Sequence, residues 1–470
     1  MRTLHRLLVW NGAGATALAV IAYVVAPAPD AAASPAATRP TAEQAAEQAA
    51  AAAAHHVSPD PAPGTPQLVA SGQKEQIVRQ IVQCGGTMFA VGRFAKISQG
   101  GTTYSRSGAF SFSAKAPYKV TSWNPQVQGD VHSIALTKDC RHAYIGGHFT
   151  GAGGKAAKDI AEVRTYNNTL VTQWGHNSNG GVNTLLLTGT HLLAGGFFTS
   201  VNGSSNRYYV SLSPATGRDD GYLHLGISGH YTYPGVVPNP TMVYNQQLSP
   251  DRHYVLAEGD FTSVQGKARQ QIFMFRLAAS HGNVTTWNST EFSQPCVTKH
   301  PFYITTAAWA PDQSTIYLAD TGLHPLTWNH TFPLTGLCDA AVAFPAKRSM
   351  VSHKWANYTG CDSLYSVAAS SSAVYVAGHP RWSQNANACN AAGRGSVNDR
   401  GLQGLWPGNG STIVNGKRTR GRYTMARANA DDMLLTGAGL WIASSNRFGQ
   451  TSCGNVGGHA GICFLPYPRH

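Results

Sequence analysis

Acidic residues are the scarcest resource of this chain. Of 470 residues only 22 are Asp or Glu, against 35 Lys or Arg, and the formal net charge is +13. Only six are glutamates, two of them in the Ala-rich N-terminal stretch, at Glu43 and Glu47. The positive charge therefore comes as much from missing acids as from added bases. A basic surface favours polyanions such as acidic glycans, wall polymers or nucleic acid. Of these, nucleic acid is not expected.

Motifs that would announce a reaction are also missing. There is no G-x-S-x-G, no H-E-x-x-H, no P-loop and no EF-hand loop. No two cysteines stand at C-x-x-C spacing, which argues against zinc, and His55-His56 is too isolated for a metal site. Neither a metal nor a cofactor is expected. Asp219-Asp220 and Asp431-Asp432 are the only adjacent acids. On a strand, neighbouring side chains point to opposite faces, so a two-carboxylate glycosidase would need residues distant in sequence.

The N-terminus holds a long apolar stretch. A basic start, Met1 to Arg6, runs into Leu7 to Ala26, which is uncharged and diluted only by Asn11, Gly12 and Gly14. Ala31-Ala32-Ala33 then fits a signal-peptidase site, so residues 1–33 read as an export signal. The alternative is an uncleaved membrane anchor, since about twenty residues can just span a bilayer. Residues 34–66 are rich in Ala and Pro, lack aromatics, and read as a disordered linker. Eight cysteines in an exported chain read as disulfides.

From Gln67 onward one short phrase recurs seven times. It reads Phe89-Ala90-Val91-Gly92, Tyr144-Ile145-Gly146-Gly147, Leu193-Ala194-Gly195-Gly196 and Leu256-Ala257-Glu258-Gly259. Weaker copies are Tyr317-Leu318-Ala319-Asp320, Tyr375-Val376-Ala377-Gly378 and Trp441-Ile442-Ala443-Ser444. The last residues of successive copies lie 55, 49, 63, 61, 58 and 66 positions apart. Short apolar strands at that period predict an all-β fold, a single seven-bladed β-propeller with four-stranded blades over 67–470. A count of six competes, because the fifth copy lacks its glycines. The seventh repeat runs out after Ile462 to Pro466, so Gln67-Leu68-Val69-Ala70 is expected to supply its outer strand and close the ring.

Gly196-Phe197-Phe198-Thr199-Ser200-Val201-Asn202-Gly203 and Gly259-Asp260-Phe261-Thr262-Ser263-Val264-Gln265-Gly266 resemble the delta-60 repeat propellers of secreted bacterial proteins. Kelch-type propellers share the Gly-Gly turn. The delta-60 resemblance covers roughly residues 67–467 and implies a propeller fold and export, with no settled activity.

In such a ring the first strand of each blade starts on one face, here called the top. Loops entering a blade and loops from its second to third strand lie on top; the other turns lie below. Cys84 and Cys140 then sit at bottom turns of adjacent blades. Cys296 with Cys338, Cys361 with Cys389, and Cys453 with Cys463 each share a blade's top. Sequential pairing fits this geometry, although eight cysteines allow 105 connectivities.

The same rule nominates two sites. The channel mouth should be lined by Arg79, His132, Asn183, Tyr244, Thr305, Tyr365 and Asp431, with His132 near Asp431 as a candidate base. Above blades six and seven, His379, Arg381, Trp382, Arg418 and Arg420 combine guanidinium forks with an aromatic plane, a set suited to carboxylate-, sulfate- or phosphate-bearing glycans. Three functions compete: a non-catalytic binder of anionic wall or extracellular glycan, a glycan hydrolase or lyase at the channel mouth, and a protein-interaction scaffold. Membrane contact is expected only through an uncleaved N-terminus.

Overall fold

The computed structural model describes residues 56–70, 75–231, 239–293, 296, 302–322, 336–415, 420–425, 430–446, 453 and 457–468. Within them the chain is an all-β propeller. Seven main antiparallel sheets follow one another, with smaller hairpins between strands, and among the described residues the one helical turn is the 3-10 stretch Glu291–Ser293. The inner, middle and outer strands of the first sheet are Ile77–Cys84, Thr87–Arg93 and Ala109–Ser113. Six more sheets repeat this order, with inner strands Gly129–Leu136, Val182–Leu187, Met242–Leu248, Ile304–Trp309, Leu364–Ala369 and Asp432–Thr436.

The recurring glycine has a steric cause. In the first six sheets the inner strand carries a one-residue bulge, at Arg79, His132, Asn183, Tyr244, Thr305 and Tyr365. A bulge bends its strand towards the partner and leaves one residue unmatched. Here it drives a main-chain carbonyl into the space a Cβ would take on the middle strand. A Cβ on Gly92 would lie 2.0 Å from Ile77 O, and on Gly147, Gly196 or Gly259 it would lie 2.2 Å from a carbonyl oxygen. Sheet five keeps the bulge with Asp320 opposite, whose carboxyl accepts the Ala340 N–H at 2.8 Å. Sheet seven has Ser444 at this place, and its inner pair runs without a register shift.

Two expectations about strands are corrected. Only sheets four and five carry a full fourth strand, Gly282–Val284 and Trp355–Tyr358. In sheets one, two, three and six that position is a single bridge: Phe112↔Val120, Val163↔Leu170, Leu212↔Asp219 and Leu405↔Thr412. Beyond the bridge in sheets one and two the chain sinks a tryptophan, Trp123 or Trp174, into the core instead of pairing on. The indole N–H of Trp174, Trp287 and Trp355 then reaches the next sheet, donating to the carbonyls of Pro214, Pro345 and Pro407 at 3.1, 3.0 and 2.9 Å.

The N-terminal segment also differs. Gln67–Leu68 pairs with Lys96–Gln99, so 67–70 is not a regular outer strand of the last sheet. The residues upstream take that edge instead. Ser58, Ala62 and Leu68 donate their N–H groups to Pro466, Phe464 and Ala460 at 2.7, 2.8 and 2.8 Å. Ser58 and Ala62 of the expected linker thus lie against the last sheet. Val57 is fully buried; its N–H donates to the Tyr375 hydroxyl, and its carbonyl accepts from the Tyr423 hydroxyl. The leader 1–33 and residues 34–55 lie outside the described residues.

First and last sheets meet directly. Val78 donates to Ser444 O at 3.0 Å, and Ile81 N–H donates to the Asp432 carboxylate at 3.1 Å. The same kind of side-chain stitch joins sheets one and two, where Gln80 accepts from Ile134 N–H, and sheets two and three, where Ser133 accepts from Leu185 N–H. Each such bond stabilises by about 1 kcal/mol, and more is lost when a buried partner is orphaned.

Candidate functional site

The six bulged residues and Asp431 are the set expected at the channel mouth. The structure buries all of them except His132, which is half-buried: Arg79 and Thr305 are 7% and 4% exposed, Tyr244 and Tyr365 are 2%, and Asp431 is 0%. Most of their polar groups are spent on neighbours, the buried Tyr244 hydroxyl being an exception. Arg79 donates to both oxygens of Asp130 at 2.8 Å and to Asp431 at 2.8 Å. Burial disfavours the guanidinium charge, yet these two carboxylates hold it further up its range. Burial would likewise raise Asp130, but Arg79 outweighs it and keeps that carboxyl well below the usual range. His132 lies beside Asp130, at 3.6 Å, and its Nδ1 is 3.3 Å from Asn183 Oδ1; the carboxylate expected beside it, Asp431, is the one Arg79 holds. Tyr365 is 3.4 Å from His379 Nδ1. Asn183 and Thr305 donate to Val243 O and Leu364 O of the next inner strands. These side chains lace the inner strands together.

The second expected cluster lies at the surface of sheet six. There the loop between middle and third strand, from Gly378 to Gly401, is long and carries the hairpin Trp382–Ser383 with Val397–Asn398. Several bonds fix it. The Cys361–Cys389 disulfide ties it to the chain entering the sheet. Asn385 donates to Ala388 O and Ala391 O and accepts from Gly393 N–H. Alternation on the second hairpin arm turns Val397 and Asp399 inward and Asn398 and Arg400 outward. Beneath the hairpin, Ser383 bonds Thr412 and Asp399.

Arg381, Trp382, Asn398 and Arg400 line an open cleft of about 370 Å³. Their charges are not equivalent. Arg381 is neutralised by Asp362, which takes its Nε and Nη2 at 2.7 and 3.1 Å, and Nη2 also reaches Asn390. Its guanidinium lies 4.6 Å from the Trp382 ring centre. Arg400 is exposed and, among the described residues, has no carboxylate partner. Arg420 is exposed too and bridges Asn398 through its main chain, one residue from the cleft. Arg418 lies outside the described residues. Asn398 and Arg400 escaped the sequence reading because their loop has no strand phrase to index it; the alternation Val-Asn-Asp-Arg was the available signal.

Other carboxyls are withdrawn from the charge balance. Burial pushes Glu258, Asp320, Asp339 and Asp399 well above their ordinary range. Asp260, fully buried at the end of its strand, is pushed up to about 7 by desolvation, against one hydrogen bond from Tyr231 N–H.

The cysteines pair sequentially, as Cys84–Cys140, Cys296–Cys338, Cys361–Cys389 and Cys453–Cys463. Four disulfides mark a chain that folds in an oxidising compartment. Among the described residues no helix is long and apolar enough to cross a membrane, and no cluster of three metal-ligating side chains occurs.

Fold and site together define a disulfide-bonded β-propeller with a basic, aromatic cleft on one face. No family model and no curated protein matches the chain. Among solved structures it is similar to the WD40 beta propeller domain of Doa1, at 10% identity and a TM-score of 0.41, over 81% of this chain and 94% of that one. A likeness of that degree says nothing of what this chain binds.

Proposed function

We propose that the seven sheets act as blades of one closed ring, a secreted propeller of the delta-60 kind that binds an anionic wall polymer or extracellular glycan without transforming it. One observation carries this reading: a cleft beside an indole presents arginine that no carboxylate of the described residues neutralises. A binder of polyanions needs such uncommitted charge. Arg79, Asn183 and Thr305 of the channel mouth are left to structural work, because their donors are already engaged with neighbouring strands.

The test is retention of the purified protein on columns of polyuronate, sulfated glycan and neutral glucan at rising salt. Retention on an anionic matrix at low salt, lost as salt rises, is expected. Equal passage through all three would overturn the reading. The enzymatic alternative has Asp260 in its favour, a carboxyl poised near neutrality. It is the weaker reading, since a polysaccharide does not reach a side chain with no exposed surface. A protein-interaction scaffold is the remaining class, and binding to no glycan would favour it.

A further inference from the structure

We infer that the sheet-six cleft is a subsite for a single uronic acid ring, with Arg400 holding the carboxylate and Trp382 stacking on the sugar. The inference rests on the glycan-binding reading above and goes further by assigning ligand class and roles. The first argument is charge. Arg381 and Asp362 cancel, so the cleft proper offers one net positive group, Arg400, with Arg420 at its edge. A monoanionic ring matches that; a phosphomonoester with nearly two charges does not.

The second argument is shape. A guanidinium fork is planar and meets the two coplanar oxygens of a carboxylate with parallel hydrogen bonds. The exposed Asn398 amide supplies a further donor on the same wall. The third is size. A cleft of about 370 Å³ stands at the small end of ligand pockets, which span about 300–1,000 Å³, so it suits one or two rings rather than a long groove.

Arg381 is a positioning residue. Clamped by Asp362 and Asn390, it packs against the indole at 4.6 Å and fixes the plane on which a sugar would lie. The cleft is also built in advance: the Cys361–Cys389 bridge and the Asn385 bonds hold the loop without a ligand, which lowers the ordering entropy of binding.

The experiment is titration calorimetry of the whole protein with a galacturonic acid trisaccharide, its carboxyl-reduced neutral analogue and a sulfated trisaccharide. Binding of the uronate at least about 10-fold tighter than either other probe is expected, that being the scale of one charge-assisted hydrogen bond. Arg400→Ala should weaken uronate binding about 10- to 100-fold and flatten its salt dependence. Arg381→Gln should also weaken binding, because it frees the indole plane and leaves the Asp362 carboxylate uncompensated beside the cleft. Trp382→Ala should weaken uronate and neutral analogue alike, with far-ultraviolet circular dichroism unchanged.

Preference for the sulfated probe, or unchanged affinity in Arg400→Ala, would overturn the subsite while polyanion retention on columns still stood. Absence of binding to any anionic glycan would remove both.

Discussion

Asp260→Asn should make the stability of this protein less sensitive to pH, with a size that can be worked from its surroundings. The wild-type carboxyl is fully buried at the end of its strand, accepts the Tyr231 N–H, and is held to about 7 by desolvation. Unfolded, the same group titrates near 3.8. A raised folded-state value means that the native chain keeps a proton the unfolded chain has released. The group's contribution to stability is therefore fully present below about pH 4 and is lost as pH rises through about 7. Three units correspond to roughly 4 kcal/mol across that window, at about 1.4 kcal/mol per unit. Asparagine can keep the acceptor for Tyr231 and has no charge to bury. Urea denaturation of both proteins at pH 4.5 and pH 8 measures the difference of differences, in which every other titrating group cancels. The expected result is that wild type loses more stability than the variant between the two pH values, by about 3 kcal/mol. Parallel pH profiles would refute the reasoning.

Two further outcomes follow from the packing. Gly196→Ala, whose Cβ would lie 2.2 Å from Gly181 O, should cost about 3 kcal/mol or more, whereas Gly86→Ala, with open space around it, should cost under about 1 kcal/mol in the same denaturation assay. Arg79→Met leaves Asp130 and Asp431 buried without their partner and should cost about 3–5 kcal/mol at pH 7. Asp130 is held below its ordinary range in the folded chain, so its share of stability is present above pH 4 and lost on acidification. The penalty in Arg79→Met should accordingly shrink at pH 3, and a pH-independent penalty would count against the ion pair.

Much of this architecture could be read from the chain because its rule is local. A glycine opposite a bulge is favoured by a carbonyl on the adjoining strand of the same hairpin, so it recurs at five of the six bulges, at Gly92, Gly147, Gly196, Gly259 and Gly378, with Asp320 standing at the sixth. The Asn202 and Gln265 positions of the repeat are equally local, since both adopt positive φ in the hairpin beyond that strand. What escaped depends on contacts between segments far apart in the sequence. Nothing near Val57 announces Tyr375 and Tyr423 as its partners. Trp174, Trp287 and Trp355 were visible as fourth-strand markers, but their bonds to proline carbonyls of the following sheet were not. The cleft was half legible: Arg381 and Trp382 stand beside a strand phrase, while Arg400 is brought to them by the fold of a long loop. Composition also cannot say which carboxylate neutralises which arginine. Asp362 binding Arg381, and so leaving Arg400 as the open charge, is a fact of geometry.

The bonds between the ends of the chain set an order of events for its folding. Gln76 N–H meets the Asn446 side chain across 370 residues, Arg79 meets Asp431 across 352, and residues 58–68 lie along the final strand. A chain made from its N-terminus can form the inner sheets early, from contacts within some sixty residues, while its first sheet still lacks a neighbour. Loop closure over several hundred residues comes last and is slow in proportion to its sequence separation. Until then the first and last sheets both offer unpaired edges, which are templates for aggregation. The final forty residues thus act as a latch, and truncation within 430–466 is expected to yield an aggregating protein rather than a shorter propeller.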